Sequence, residues 1–195
     1  NFGVRDTLNL SQIERVQSVG PFFRNEWNML DKLDLVMGGR WDWLHYQVKD
    51  AFKTDGNQSG SRTVAQASGS IGLVYHLTEQ QQIYTHVASV FEAPTTTELL
   101  NNPAGRGGFN PRLNAQTSLS NELGIRGNTA GFQYDTAVFF IRTWDEITPF
   151  ELPSSPGRAF FRNAGQSRRL GVETRLATPE WKGLRGEVSY TYSNF

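Results

Sequence analysis

Leu184-Arg185-Gly186-Glu187-Val188-Ser189-Tyr190-Thr191-Tyr192-Ser193 alternates along its whole length. Leu184, Val188, Tyr190 and Tyr192 share one side with Gly186, while Arg185, Glu187, Ser189, Thr191 and Ser193 share the other. Period two places successive side chains on opposite faces of an extended strand, so one ribbon presents both a greasy and an ionic face. Working backwards, Leu170, Val172 and Leu176 oppose Arg169, Glu173 and Arg175. Phe132, Tyr134, Val138, Phe140 and Trp144 share a face. Leu119, Leu123 and Ile125 oppose Ser118, Ser120, Glu122 and Arg126, and Ala67, Ile71, Leu73, Tyr75 and Leu77 oppose Ser68, Ser70 and His76. Leu33, Leu35, Met37, Trp41 and Trp43 oppose Asp34, Arg40 and Asp42. The segment around 81–91 is ambiguous, because Ile83, Val87 and Phe91 compete with Tyr84, Ala88 and Val90.

This pattern predicts eight strands, near 18–30, 33–49, 66–78, 81–91, 117–127, 131–144, 163–177 and 184–195. Their connections alternate between short (Asp31-Lys32, Thr78 to Gln80, Asn128 to Ala130, Thr178 to Gly183) and long (about 50–65, 92–116 and 145–162). An up-and-down barrel wall explains the alternation, since short hairpins lie on one rim and long loops on the other. Strands of about 10 to 15 residues exceed the roughly 5 or 6 of soluble sheets and suit a bilayer crossed at about 45°. Charges of both signs in mid-strand need water or partners inside a lumen. Arg24, Glu26, Asp34, Arg40, Asp42, Glu122, Arg126, Arg169, Glu173, Arg175, Arg185 and Glu187 form that inward set. Trp41, Trp43, Trp144, Tyr190 and Tyr192 fall toward strand ends, where an aromatic girdle belongs. The expected fold is all-β, an antiparallel up-and-down transmembrane β-barrel section of about eight strands. Its short turns would be periplasmic and its long loops extracellular.

Composition excludes several other classes. The 195 residues carry 19 Lys plus Arg against 19 Asp plus Glu, so no net field recruits nucleic acid. With no cysteine there is no disulfide framework, thiolate zinc site or cysteine nucleophile. A share of 37% hydrophobic residues with 12% aromatics and 19 glycines is too aromatic for disorder and too poor in aliphatic residues for a helical core. His45, His76 and His86 are far apart and form no metal spacing. Ala104-Gly105-Arg106-Gly107-Gly108 lacks the Gly-Lys-Ser/Thr ending of a phosphate loop and reads as a flexible loop tip. No Gly-x-Ser-x-Gly elbow occurs. The expectation is no catalytic residue, no metal site and no enzyme.

Several segments, taken in order, resemble the C-terminal part of a TonB-dependent outer-membrane receptor barrel. Ile83-Tyr84-Thr85-His86-Val87-Ala88-Ser89-Val90-Phe91-Glu92-Ala93-Pro94-Thr95, then Glu98-Leu99, resembles the family strand ending Phe-Arg-Ala-Pro-Thr and then Glu-Leu. Asn110-Pro111-Arg112-Leu113 and Ser120-Asn121-Glu122-Leu123-Gly124 resemble its Asn-Pro-x-Leu and Glu-x-Gly segments. Arg162-Asn163-Ala164-Gly165 with Gly171-Val172-Glu173, and Leu184 to Phe195, resemble the next two strands. The likeness covers roughly 18 to 195. Glu92 stands where the family usually has Arg, so a contact made by that Arg does not carry over; separately, no His lies between Phe91 and Pro111, which favours the siderophore type over the haem type.

The resemblance implies that residues 1–195 are a partial barrel, about eight of roughly 22 strands, with the plug domain and TonB box absent. It implies an outer-membrane receptor of a Gram-negative bacterium for TonB-energised uptake of a ferric siderophore or similar scarce nutrient. The ferric chelate is then the transported ligand, with no resident cofactor. Implied partners are TonB-ExbB-ExbD through a plug of about 150 residues, outer-membrane lipid and lipopolysaccharide, and the iron chelate. Loop candidates for the ligand are Arg62, Arg106, Phe109, Arg112, Phe150 and Arg158, with Phe160 and Phe161 as further stacking partners. The same arginines would also serve to bind lipopolysaccharide phosphates or to keep the loops soluble. A passive porin or small structural barrel, and a soluble β-sheet carbohydrate-binding module, are the alternatives.

Overall fold

The computed structural model describes residues 10–54, 56–105 and 107–195. Its order is β1 (Gln12–Val19), β2 (Phe22–Leu30), β3 (Leu33–Asp50), β4 (Gly60–Thr78), β5 (Gln81–Glu92), α1 (Thr96–Leu100), β6 (Gln116–Thr129), β7 (Phe132–Trp144), β8 (Ile147–Leu152), β9 (Ser155–Asn163), β10 (Gln166–Ala177) and β11 (Glu187–Asn194). One sheet runs β1-β3-β4-β5-β6-β7-β10-β11, with β2 also on β3, and β8-β9 form a separate hairpin. All pairings are antiparallel. The sheet is an open section of an up-and-down wall.

Four boundaries differ from expectation. The first strand begins at Gln12 and is broken into β1 and β2, both lying on β3. Proline at 21 has no N–H for a ladder and occupies the break; its carbonyl still accepts from the Trp41 N–H at 3.1 Å. Second, β4 starts at Gly60 instead of 66, paired residue by residue with the upper half of β3. Third, the long 145–162 loop is largely the β8-β9 hairpin, and the 92–116 loop contains α1. Last, β11 starts at Glu187, because Trp181 and Leu184 are held in a bridge of their own.

The register settles which side chains share a face. Leu33, Leu35 and Met37 stand opposite Tyr75, Leu73 and Ile71. Tyr75 stands opposite Ile83, and Ile83 opposite Ile125. Leu123 lies opposite Val138, and Val138 opposite Val172. The ambiguous strand β5 therefore contributes Ile83, Val87 and Phe91 to the apolar face. That face is uncovered: Trp41 is 47% exposed, Leu170 54% and Tyr190 62%. The girdle expected from the sequence is corrected in one respect. Tyr190 and Tyr192 stand opposite Thr174 and Val172, in register with the middle of β7, whereas Trp144 does lie at a strand end.

The other face is braced by ions and hydrogen bonds. Arg40 Nε reaches both oxygens of Asp42 at 2.7 and 2.8 Å. Asp34 accepts from Asn28 Nδ2 at 2.7 Å and lies 2.7 Å from His76 Nε2. Arg175 donates twice to Glu187 at 2.8 Å, and Arg185 donates to Gln133 at 2.7 Å. Tyr84 lies flat over Gly124, where a Cβ would collide with its ring, and its hydroxyl donates to Asp135 at 3.0 Å. One aromatic side chain thus spans from β5 to β7.

Candidate functional site

Above Trp43 the wall inverts its polarity without any slip in register. Up to that residue the apolar side chains of β3 are odd-numbered except Val36; beyond it His45, Gln47 and Lys49 take that face and Leu44, Tyr46 and Val48 the other. The apolar outer stretch, Leu33 to Trp43, matches about 25 Å of hydrocarbon at barrel tilt. The extensions of β3 and β4 beyond it therefore stand in water and obey the soluble rule, greasy side inward.

The loops supply the cover for that inward patch. Leu99 of α1 and Leu113 are fully buried against Tyr46, which is 4% exposed, with Leu44, Val64, Phe109, Ile147 and Phe161 packed around them. Each piece of the 92–116 loop has a local cause. Pro94 is buried, and Thr95 caps α1: its side chain accepts from the Glu98 N–H at 3.3 Å while Glu98 accepts from the Thr95 N–H at 2.7 Å. Asn110 donates from its backbone to the Leu99 carbonyl at 2.6 Å and turns the chain by accepting the Arg112 N–H at 3.0 Å. Asn163 clamps the hairpin to the loop, accepting from the Asn114 N–H at 2.8 Å and donating to the Asn114 and Asp145 carbonyls at 2.9 and 2.6 Å. Burial, with a smaller contribution from Glu98, pushes the Tyr46 phenol above its ordinary value.

This cover redistributes the expected ligand residues. Arg62 donates to the Asn110 carbonyl and, at 3.4 Å, to Asn114, so it holds the loop. Phe109 packs edge-on to Tyr46, ring centroids 6.3 Å apart, inside the same core. Arg106 lies outside the described residues. Its neighbours Gly107 and Gly108 are no loose tip: a Cβ at Gly107 would overlap the Asn57 carbonyl, and Gly108 is buried. Arg112 is exposed, and its backbone N–H joins the same Asn110 turn that Arg62 engages.

Phe150 and Arg158 come together on the β8-β9 hairpin. Phe150 stands opposite Phe160, centroids 6.1 Å apart. The Arg158 guanidinium lies 5.1 Å from the Phe160 ring centre and that of Arg162 5.0 Å from Phe150. Arg158 Nε donates to Asn101 at 3.0 Å, joining the hairpin to the end of α1. Phe160 is buried, so it supports the arginines and is not itself a stacking surface. Arg162 was missed in the sequence. The spacing Arg158-x-Phe160-x-Arg162 carries it, legible once the segment is read as a strand. Two guanidiniums seated on rings, with donors left over, can hold an anionic group by charge-assisted bonds.

A family model described as TonB dependent receptor-like, beta-barrel matches residues 1–195, and the chain belongs to that family. Among solved structures, the copper transporter OprC superposes with a TM-score of 0.71 at 17% identity, over 92% of this chain and 29% of that one. The alcaligin outer-membrane receptor FauA from Bordetella pertussis gives 0.67 at 17% identity, over 93% and 30%. The siderophore receptor PirA from Pseudomonas aeruginosa gives 0.68 at 14%, over 94% and 43%. The chain thus spans less than half the length of each, and at these identities the likeness is one of fold. Receptors of this family are outer-membrane proteins of Gram-negative bacteria.

Proposed function

We propose that this chain forms wall and outer rim of an outer-membrane receptor that takes up a scarce nutrient as an anionic ferric chelate, of the siderophore class, energised through TonB. The observation that carries the ligand class is the paired Arg158 and Arg162 on Phe150 and Phe160. Family membership supports the transport role. The uncovered apolar face would meet lipid, and the ion-paired face would line the lumen and receive a plug domain belonging to the rest of the receptor. The rim breaks no bond. It captures the chelate, and admission is the work of the energised plug.

The test uses the intact receptor. Binding of ferric catecholate, hydroxamate and carboxylate chelates is followed by intrinsic fluorescence quenching, before and after Arg158→Ala with Arg162→Ala. Each charge-assisted bond is worth about 1.5–3 kcal/mol, so Kd for the cognate chelate should rise about tenfold or more. Uptake of that chelate should stop in cells lacking TonB. Unchanged Kd for every chelate would remove the rim assignment, and uptake without TonB would remove the energised mechanism.

A further inference from the structure

On the apolar face, two arginines stand directly opposite each other. Arg142 of β7 pairs in register with Arg168 of β10. Both are exposed, and both lie one step loopward of the greasy band, following Phe140 and preceding Leu170 on the same face. Like charges directly opposed across a ladder repel. Neither enters an ion pair among the described residues. Arg142 is instead aimed by neutral neighbours, with its guanidinium 5.2 Å from the Trp144 ring centre and Nη2 donating to Gln166 at 2.6 Å. Arg168 itself lines a groove of about 560 Å³ whose other walls are mainly Val138, Phe140, Leu170, Val172 and Tyr192, with Asn194 and Phe195 at one end.

We propose that Arg142 and Arg168 form a binding site for the phosphate of an outer-leaflet lipid, whose acyl chain lies in the groove beneath. A phosphate offers several acceptor oxygens, enough to bridge two guanidinium forks, and its charge turns the repulsion of the pair into attraction. The height fits: Trp144 marks the girdle and the arginines sit beside it, at headgroup level. The groove fits an acyl chain, since Val138, Phe140, Leu170 and Val172, which wall most of it, belong to the apolar face. An inorganic phosphate would use the arginines but leave the groove empty.

This site rests on the bilayer placement proposed above, and the experiment separates the two. The intact receptor is extracted in mild detergent, supplied with bisphosphorylated lipid A, and examined by native mass spectrometry. Retention of the lipid should fall about tenfold or more in Arg142→Gln with Arg168→Gln. It should persist in Arg142→Lys with Arg168→Lys and in Arg112→Gln, and excess inorganic phosphate should not displace it. Equal retention by the double glutamine variant, equal retention of dephosphorylated lipid A, or displacement by inorganic phosphate would each overturn the site. Heat-modifiable migration in gels verifies that the variants are folded. Membrane fractionation of the unaltered receptor addresses the placement itself: recovery away from the outer membrane would overturn both readings, whereas recovery there with unchanged lipid retention would overturn this one alone.

Discussion

Val138→Arg is the sharpest probe of the wall. Val138 is the central residue of β7, six residues from each end. At about 3.3 Å per residue and a tilt of about 45°, that is roughly 14 Å from either rim, close to the bilayer midplane. Its cross-strand neighbours are Leu123 and Val172, and the side chain is 49% exposed in the isolated wall. A guanidinium there meets lipid with no acceptor in reach, which costs about 2–4 kcal/mol. The matched control is Thr191→Arg. Thr191 occupies the polar face opposite Glu173, so the new charge gains a partner and the change should stay within about 1 kcal/mol. Ser189→Arg would be a poor control, because Ser189 faces Arg175. Reversible guanidinium unfolding of the intact receptor in vesicles, followed by tryptophan fluorescence, measures both. Equal losses, or a larger loss at Thr191, would refute the assignment of lipid and lumen faces.

Two further outcomes probe the interior. Leu99→Ala removes a side chain with no exposed surface and should cost about 2–5 kcal/mol, confined to the loop cover. Hydrogen exchange should rise about tenfold or more over 93–115 while the barrel midpoint stays put; a fall in that midpoint would show that the cover and wall fold as one. Gly124→Ala drives a Cβ into the Tyr84 ring and should cost about 1–3 kcal/mol, most of it recovered by adding Tyr84→Ala. Additive losses in that unfolding cycle would mean that the ring is not what glycine accommodates.

The wall was legible in the sequence because one chemical rule, greasy outside and ionic inside, repeats through β2, β3 and β4 up to the level of Trp43, and through β6, β7, β10 and β11. Where two apolar sets competed, in β5, parity alone failed. Tyr84, Ala88 and Val90 are apolar residues of the polar face, and for Tyr84 its neighbours give the reason: Gly124 lies beneath it and Asp135 at its hydroxyl, on two other strands. The motif residues were legible as a resemblance but not as causes. Thr95 and Glu98 are a capping box, Leu99 and Leu113 are core, and Asn163 is a clamp. Where each candidate site residue sits was the least legible feature. Arg62 and Arg158 are equally loop-like by composition, yet one is engaged by the Asn110 carbonyl and the other seated on a ring.

That illegibility has a physical source in the polarity inversion after Trp43. Reading β3 with a single rule through to Asp50 leaves Leu44, Tyr46 and Val48 unexplained on the ionic side. Reading it with two rules makes them demand a cover, since an apolar patch of that size does not remain open to water. The nearest chain able to provide one is the 92–116 loop, whose Leu99 and Leu113 are buried on the patch with Phe109 packed beside them. Once the loop is fixed there, Asn110 turns beside Arg62, whose guanidinium is engaged by the Asn110 carbonyl. The hairpin that packs Ile147 and Phe161 on the same cover presents Phe150, Arg158 and Arg162 from its other ladder positions. A rigid apolar foundation therefore comes first and the cationic rim follows from it. Substitutions in the foundation should alter ligand binding through the position of Arg158 and Arg162, without touching the ligand.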